Sequence, residues 1–301
     1  MDRAKALAGL TAALLAGCPG PRPLVVGSKN FTEQRLLGEI AAQQLERRLG
    51  TRVTRRLDLG GTLLAHEAVA AGRIDLYPEY TGTALTAILK LPPSYDPKGV
   101  FEAVAAAYRS RWKLVWLPPL GFDDTFALVI RGAEARASGI GTLSQAAARP
   151  EGWRLGVGYE FLQRPDGLAR LRATYDLPLK GSPRTMDLGL LYQALQQGEV
   201  DMVAANSTDG LLSVRDLRVL ADDRRCFPPY EAAFVVREEC LSREPRAGPA
   251  LTELSGKLTS GVMQRLNYLV DGEHRRIADV AREFLEQTLG AAPAGAPAAA
   301  R

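Results

Sequence analysis

Residues 24–37 read LVVGSKNFTEQRLL, a short apolar run that turns at Gly27 and Ser28 into a segment whose apolar positions recur at helical spacing: Leu36, Leu37, Ile40, Ala41, Leu45 and Leu49. A strand feeding a helix through a tight turn is the opening unit of an α/β fold. Asn30 with Glu33 three residues on makes a capping box at the helix start. That box leaves Ser28 to Phe31 on a turn beside free backbone N–H groups and the positive helix end, a place that favours an anionic group. The pattern continues outward with a strand at 53–59, a helix at 62–71 closed by Gly72, and a strand at 74–77 that runs into Pro78, Glu79 and Tyr80. Alternating strands and helices predict a largely parallel sheet with its ligand site at the strand ends.

The middle of the chain repeats this arrangement, with a strand at 155–159, helices at 165–175 and 187–197, and a strand at 200–205. Gly72, Arg73, Ile74, Asp75, Leu76 is echoed by Gly198, Glu199, Val200, Asp201, Met202 at an offset of 126. The same offset sets Tyr80 opposite Asn206 and Thr81 opposite Ser207, each just past a strand end. Two similar lobes with a cleft between them follow. Apolar runs at 126–130 and 232–236 bracket the middle segment and read as strands crossing between lobes. The first lobe then takes residues 24–128 and 232–290, and the second takes 129–231. Helices at 249–269 and 271–289 pack back on the first lobe, and residues 291–301 form an Ala, Pro and Gly tail expected to be disordered.

Composition narrows the function classes. The chain has 301 residues, 46% hydrophobic and 24% charged, which suits a soluble body of two-domain size and excludes a disordered or polytopic membrane protein. The net charge of +4 is interspersed, without a basic stripe carrying aromatics, which argues against a nucleic-acid partner. The two histidines, His66 and His274, have no ligand partners at familiar spacings, so no metal site or cofactor is expected, and His66 reads as a helix-surface residue. No Gly-x-Ser-x-Gly elbow is present. An enzyme or sensor module on the same bilobal fold is the alternative to a binding protein, although a sensor needs an output module and an enzyme a catalytic constellation.

Arg3 and Lys5 precede an apolar run at 6–16, too short for the roughly 20 residues of a membrane span and suited to a signal peptide. Leu15, Ala16, Gly17 and Cys18 resemble a bacterial lipobox, with Pro19, Pro21 and Pro23 ending any helix. Residues 1–17 are thus expected to be cleaved and Cys18 to be lipidated, placing an anchored body outside the cytoplasm, in the periplasm or at the cell surface. Cys226 and Cys240 would sit there in an oxidising compartment, and their spacing leaves open whether they are bridged.

Residues 27–34 and 77–83, with Phe161, Arg164, Asp166 and Gly167, then Ser207, Thr208, Asp209 and Gly210, then Phe227, Pro228, Pro229 and Tyr230, resemble the osmoprotectant substrate-binding proteins of ABC importers. Members of that family bind glycine betaine, choline and related quaternary amines. The resemblance implies a type II periplasmic-binding-protein fold and a monomer that serves membrane permease subunits, with no cofactor and no chemistry done on the ligand. In such betaine binders the quaternary ammonium lies among aromatic faces, each worth ~0.5–2 kcal/mol, while basic and hydroxyl groups hold the carboxylate. Tyr80 and Tyr230 map onto the aromatic box, and Lys29, Thr83 and Arg164 onto the carboxylate contacts, with Asn30 on the same turn as Lys29.

Two further box positions fall on Phe126 and Asn206, where betaine-specific members carry tyrosines, and Asp123 and Asp124 stand in place of neutral amides. Phe126 keeps a π face; Asn206 loses it. Beside these implied roles stand plain local readings. Tyr80 and Tyr230 could be half-buried packing rings, Lys29 and Arg164 solvated helix-end charges, and Asp123 with Asp124 an exposed turn. Two unpaired cations in a closing cleft would be costly, which favours a ligand carboxylate between Lys29 and Arg164 and so a zwitterion over a bare cation. The altered box favours a ligand larger or more polar than glycine betaine, such as a histidine-derived betaine or an amino acid.

Overall fold

β1 (Val25–Gly27) pairs in parallel with β2 (Thr54–Arg56) and with β3 (Leu76–Tyr80), and the first sheet is completed by β4 (Leu114–Trp116) and β10 (Ala232–Arg237) in the order β2-β1-β3-β10-β4. β5 (Phe126–Arg131), β6 (Leu155–Val157), β7 (Arg184–Thr185), β8 (Met202–Asn206) and β9 (Leu217–Val219) form a second sheet in the order β7-β6-β8-β5-β9. In each sheet the fourth strand alone runs antiparallel to its neighbours, β10 in the first and β5 in the second. These relations belong to a computed structural model that describes residues 22–213 and 215–290. Cys18, the signal segment 1–17 and the tail 291–301 lie outside the described residues.

The five-residue echo has a physical basis. Asp75 Oδ2 accepts the backbone N–H of Val25 at 2.8 Å, and Asp201 Oδ2 accepts that of Arg154 at 3.2 Å. Each aspartate also donates its own backbone N–H to the carbonyl of the same residue, at 2.7 Å and 2.8 Å. An acid at this position therefore ties the start of one central strand to the strand entering beside it, once per sheet. Gly72 and Gly198 both adopt φ +71°, the left-handed conformation that closes the preceding helix, α2 (Thr62–Ala70) in the first sheet.

The chain changes sheets between Trp116 and Phe126 and returns between Val219 and Ala232. The two crossings bind each other: Leu120 N–H donates to Ala232 O at 2.8 Å, Ala232 N–H to Phe122 O at 3.1 Å, and Asp124 N–H to Tyr230 O at 3.2 Å. Helix α1 (Thr32–Leu49) is buried along most of its length, covered by the C-terminal helices.

The structure departs from the sequence expectations at several places. The helix expected at 249–269 is two helices, Ala247–Thr252 and Ser260–Asp271. Between them Gly256 adopts φ +70°, and its N–H and that of Leu258 bond to the carbonyls of Pro119 and Leu120, so the crossing segment takes the hydrogen bonds a continuous helix would need. The last helix starts at Ile277, not 271. The capping box does not form: Phe31 occupies the N-cap without a side-chain bond, and Glu33 turns inward. His66 is not on the surface but 7% exposed, edge-on to Trp112 at 4.4 Å and to Tyr108 at 5.2 Å. The ring belongs to a cluster completed by the helix Pro97–Trp112, and burial, with Lys29 nearby, pushes its pKa down to about 4. Cys226 and Cys240 are both free and buried, and burial raises their thiols to about 11 and about 12. Among the described residues no helix is long and apolar enough to cross a membrane.

Candidate functional site

A cavity of about 860 Å³ lies between the sheets, and Lys29, Asn30, Tyr80, Thr83, Asp124, Phe126, Arg164, Asn206 and Tyr230 all line it. The topology explains the convergence. Lys29 and Asn30 follow β1, Tyr80 ends β3, Asn206 ends β8, and Phe126, which begins β5, is the register partner of Asn206. Thr83 closes the helical turn Thr81–Thr83 that follows β3, and Arg164 follows the short helix Tyr159–Gln163 after β6. Asn30 is exposed at the mouth, and its N–H donates to Gly60 O at 3.1 Å.

Both cations have protein partners, which overturns the argument from unpaired charge. Lys29 Nζ, 1% exposed, donates to Glu79 Oε1 at 2.5 Å and lies 5.2 Å from the Tyr80 ring centroid. Arg164 donates from Nε and Nη2 to the two oxygens of Asp166, at 2.9 and 2.6 Å. Neither is a solvated helix-end charge. Burial works against ionisation of Asp166, but the adjacent guanidinium outweighs it and holds the carboxyl below its ordinary range. Arg164 Nη1 makes no hydrogen bond among the described residues; it stands 3.7 Å from Glu160 Oε2, and the guanidinium carbon lies 4.9 Å from the Phe126 ring and 5.6 Å from that of Tyr230.

Tyr80 and Tyr230 are buried rings, not half-buried ones, and each hydroxyl is committed. Tyr230 donates to Asp166 Oδ2 at 2.6 Å, so one carboxylate fixes both the ring and Arg164. Tyr80 donates to Glu33 Oε1 at 2.6 Å and stacks on Phe31, a ring that sequence reasoning left out of the site. Phe126 meets Phe161 edge-on at 4.9 Å and Tyr230 at 5.8 Å, so the altered box keeps a continuous aromatic wall on this side.

The opposite end is acidic. Asp124 is buried, not part of an exposed turn, and Asp123 is half-buried, accepting the Tyr230 N–H at 2.6 Å. Thr208 Oγ1 lies 2.5 Å from Glu33 Oε2 and 2.7 Å from Asp124 Oδ1. A hydroxyl has one proton to give, so one of these two carboxyls carries a proton of its own. Burial raises both, Asp124 well above its ordinary range with the Glu33 charge adding to the effect. Asn267, from the helix Ser260–Asp271, donates to Glu33 Oε2 and to Thr208 O, each at 2.9 Å. Asp209 accepts the Tyr192 hydroxyl at 2.7 Å, and burial lifts its pKa to about 7. Glu33 was legible only as a capping partner, and Asn267 gave no signal at all. Among the described residues no three His, Cys, Asp or Glu side chains are placed to hold a metal ion.

Two largely parallel sheets, two mutually bonded crossings and a cleft walled by aromatic rings and pinned charges define a two-lobed binding protein of the periplasmic type. Residues 22–287 match the substrate-binding domain of ABC-type glycine betaine transport systems, and the chain belongs to that family. It is 37% identical over 292 residues to a glycine-betaine-binding protein of Pseudomonas aeruginosa, covering 94% of this chain and 92% of that one. It is 34% identical over 267 residues to the ergothioneine transport permease/ergothioneine binding protein EgtU of Helicobacter pylori, covering 88% of this chain. The match spans about half (48%) of that longer relative. A solved structure of a glycine betaine/carnitine/choline ABC transporter superposes with a TM-score of 0.74 at 30% identity, covering 88% of this chain and 98% of that one. The chain is therefore a substrate-binding protein of the ABC-type glycine betaine transport family.

Proposed function

We propose that this chain, lipid-anchored through Cys18 outside the cytoplasm, captures a betaine larger than glycine betaine as a monomer and delivers it to ABC permease subunits. The lobes built on the two sheets, between which the chain passes at 117–125 and 220–231 and not within the strand at 126–130, close over the ligand. The observation that carries the reading is Arg164: pinned by Asp166 against the rings of Phe126 and Tyr230, it leaves Nη1 without a hydrogen bond among the described residues, 3.7 Å from Glu160 Oε2. That geometry puts a carboxylate grip beside π faces for a quaternary ammonium, the two needs of a betaine. Thr83 and Tyr80 contribute from the first sheet, while Lys29, already neutralised by Glu79, holds the Tyr80 side of the box in place.

A cavity of about 860 Å³ is in the range that holds drug-sized ligands and leaves ample room beyond glycine betaine. Asn206, in place of a ring, supplies a donor and an acceptor for an added polar group. A histidine-derived betaine fits both demands, and ergothioneine, named for the Helicobacter pylori relative, is one. Calorimetry on glycine betaine, carnitine, choline, trimethylhistidine and free amino acids tests the reading. The histidine-derived betaine is expected to bind tightest. A win for glycine betaine overturns the ligand assignment, and turnover of any ligand overturns the binding function.

A further inference from the structure

Both box tyrosines end on a carboxylate. The Tyr230 hydroxyl donates to Asp166 and the Tyr80 hydroxyl to Glu33, each at 2.6 Å, the short separation of a charge-assisted bond. The two acids differ in what answers their charge. Asp166 is paired with Arg164, whereas Glu33, 3% exposed, forms no ion pair among the described residues. Neutral donors hold it: the Tyr80 hydroxyl, the Asn267 amide at 2.9 Å and the Thr208 hydroxyl at 2.5 Å. Those three donors also decide where the proton shared with Asp124 sits. Among the described residues the Asp124 carboxyl meets Thr208 alone, at 2.7 Å to its hydroxyl and 3.3 Å to its N–H. The chain of bonds therefore runs from a protonated Asp124 through the Thr208 hydroxyl to an ionised Glu33. Burial, with the Glu33 charge beside it, raises the Asp124 pKa well above its ordinary range, which agrees.

A buried negative charge with no cation beside it is costly, and the ring bonded to this one lines the cavity. Tyr80 passes the charge on. A phenol whose hydroxyl donates to a carboxylate is polarised by it and gains electron density over the ring, the π face that a cation seeks. Phe31 lies within 18° of parallel to this ring, with centroids 6.4 Å apart, and also lines the cavity. Each wall has one cation already paired with one acid, Lys29 with Glu79 near Tyr80 and Arg164 with Asp166 near Tyr230 and Phe126. Glu160, 3.7 Å from Arg164, is spent on the start of α2. Glu33 is left in excess. We propose that Glu33 is a positioning residue that sets specificity: through the Tyr80 hydroxyl it supplies the countercharge that seats the ligand's ammonium on the Tyr80 ring, leaving Arg164 to the carboxylate. The proposal rests on the betaine reading above and deepens it by assigning the ammonium end.

The test reads cation preference rather than affinity alone. Trimethylhistidine and carnitine are each compared, by calorimetry at neutral pH, with the analogue in which carbon replaces the quaternary nitrogen, on wild type, Glu33→Gln, Tyr80→Phe and the double variant. Each analogue keeps the shape and the carboxylate and loses only the positive charge. Glutamine keeps an acceptor for the Tyr80 hydroxyl, so Glu33→Gln is expected to cut the preference for ammonium over carbon roughly tenfold while the carbon analogues bind as before. Tyr80→Phe should cut it severalfold, and the double variant no further than Glu33→Gln alone, because both changes interrupt one path. A purely structural role would weaken both members of each pair alike and leave the ratio untouched. An unchanged ratio in Glu33→Gln overturns the proposal, as does a double variant that loses the product of the two single effects. Should Glu33→Gln not fold, an unchanged ratio in Tyr80→Phe overturns it instead. If neither quaternary amine binds the wild-type protein, the betaine reading itself falls. If both bind and the ratio does not move, only the role of Glu33 falls.

Discussion

Glu160, on the second sheet's side of the cleft, accepts two hydrogen bonds from Thr62 on the first, Oε1 from the backbone N–H at 2.5 Å and Oε2 from the hydroxyl at 3.0 Å. Thr62 is the first residue of α2, so a carboxylate from one lobe caps a helix of the other. Gly61 makes the approach possible, since a Cβ there would stand 2.5 Å from Glu160 Oε1. Burial opposes the Glu160 charge, but Lys29, Arg164 and the Thr62 bonds outweigh it and hold the carboxyl below its ordinary range. Glu160→Ala is expected to shift the lobes toward an open form by about 1 kcal/mol, a value discounted for the solvent-exposed part of the side chain. Small-angle scattering and interlobe fluorescence transfer measure it. An unchanged distance distribution in the variant removes Glu160 as a closing contact.

The ion pair of Lys29 and Glu79 should behave as a buried pair, with side chains 2% and 0% exposed. Glu79 also accepts the Tyr77 hydroxyl at 3.2 Å and the Tyr80 N–H at 2.8 Å, so its removal orphans more than one donor. Glu79→Ala is expected to destabilise the fold by ~3–5 kcal/mol, and Lys29→Met combined with Glu79→Gln by clearly less than the sum of the single changes. Denaturant melts of Glu79→Ala, and of the cycle formed by wild type, Lys29→Met, Glu79→Gln and the double variant, decide it. Additive losses would show that the two groups do not stabilise one another.

Much of the fold was legible because its signals are local. A glycine-closed helix followed by an apolar strand with one aspartate appears twice, and Asp75 and Asp201 turn out to do the same job in the two sheets. The candidate site was legible for a related reason: strand ends converge on a cleft, so Tyr80 from the first sheet and Phe126 and Asn206 from the second all line it once the strands are placed. What failed depended on distant partners. Asn30 and Glu33 satisfy the local capping rule, but Tyr80, Thr208 and Asn267 offer Glu33 better-buried bonds. Lys29 read as unpaired because Glu79 lies 50 residues away, and His66 read as exposed because the helix Pro97–Trp112 that covers it was not recognised.

Asp209 gives a pH prediction with a definite sign. Unfolded, its carboxyl ionises near 3.8; folded, burial moves this to about 7. Between those values the folded chain holds a proton that the unfolded chain has released, so stability falls as pH rises from about 4 to about 7. The contribution is on the order of 2–4 kcal/mol. Asp209→Asn keeps an acceptor for Tyr192 and removes the titration. Its melting temperature is therefore expected to match wild type near pH 4 and to exceed it by several degrees at pH 8. Parallel curves across that range would refute the assignment.

Cys18 lies outside the described residues, and its role rests on the sequence Leu15, Ala16, Gly17, Cys18. Cys18→Ala is expected to move the protein from the membrane to the soluble fraction, because two or more acyl chains give stable anchoring where one does not. Mass spectrometry of the protein from its native host checks this directly. An uncleaved, unmodified N-terminus would end the lipoprotein reading.

Lys29 and Arg164 were grouped by sequence as two carboxylate contacts, and the structure separates them. Lys29 spends its ammonium on a buried glutamate, whereas Arg164 spends two nitrogens on Asp166 and retains Nη1 beside two rings. The Tyr230 hydroxyl, bonded to the same Asp166, decides how firmly that guanidinium is aimed. Arg164→Met is therefore expected to weaken binding of a carboxylate-bearing betaine by ~2–3 kcal/mol, the worth of a charge-assisted hydrogen bond. Choline, which has no carboxylate, should lose much less. Tyr230→Phe keeps the ring and removes only the bond to Asp166, so it should reproduce the same preference at a fraction of the size. Lys29→Met should act chiefly on stability, lowering the affinities for betaine and choline by similar factors. Calorimetry with both ligands on all three variants separates these outcomes. If Lys29→Met proves selective for the carboxylate and Arg164→Met does not, the grip belongs to Lys29 and must form by breaking its pair with Glu79.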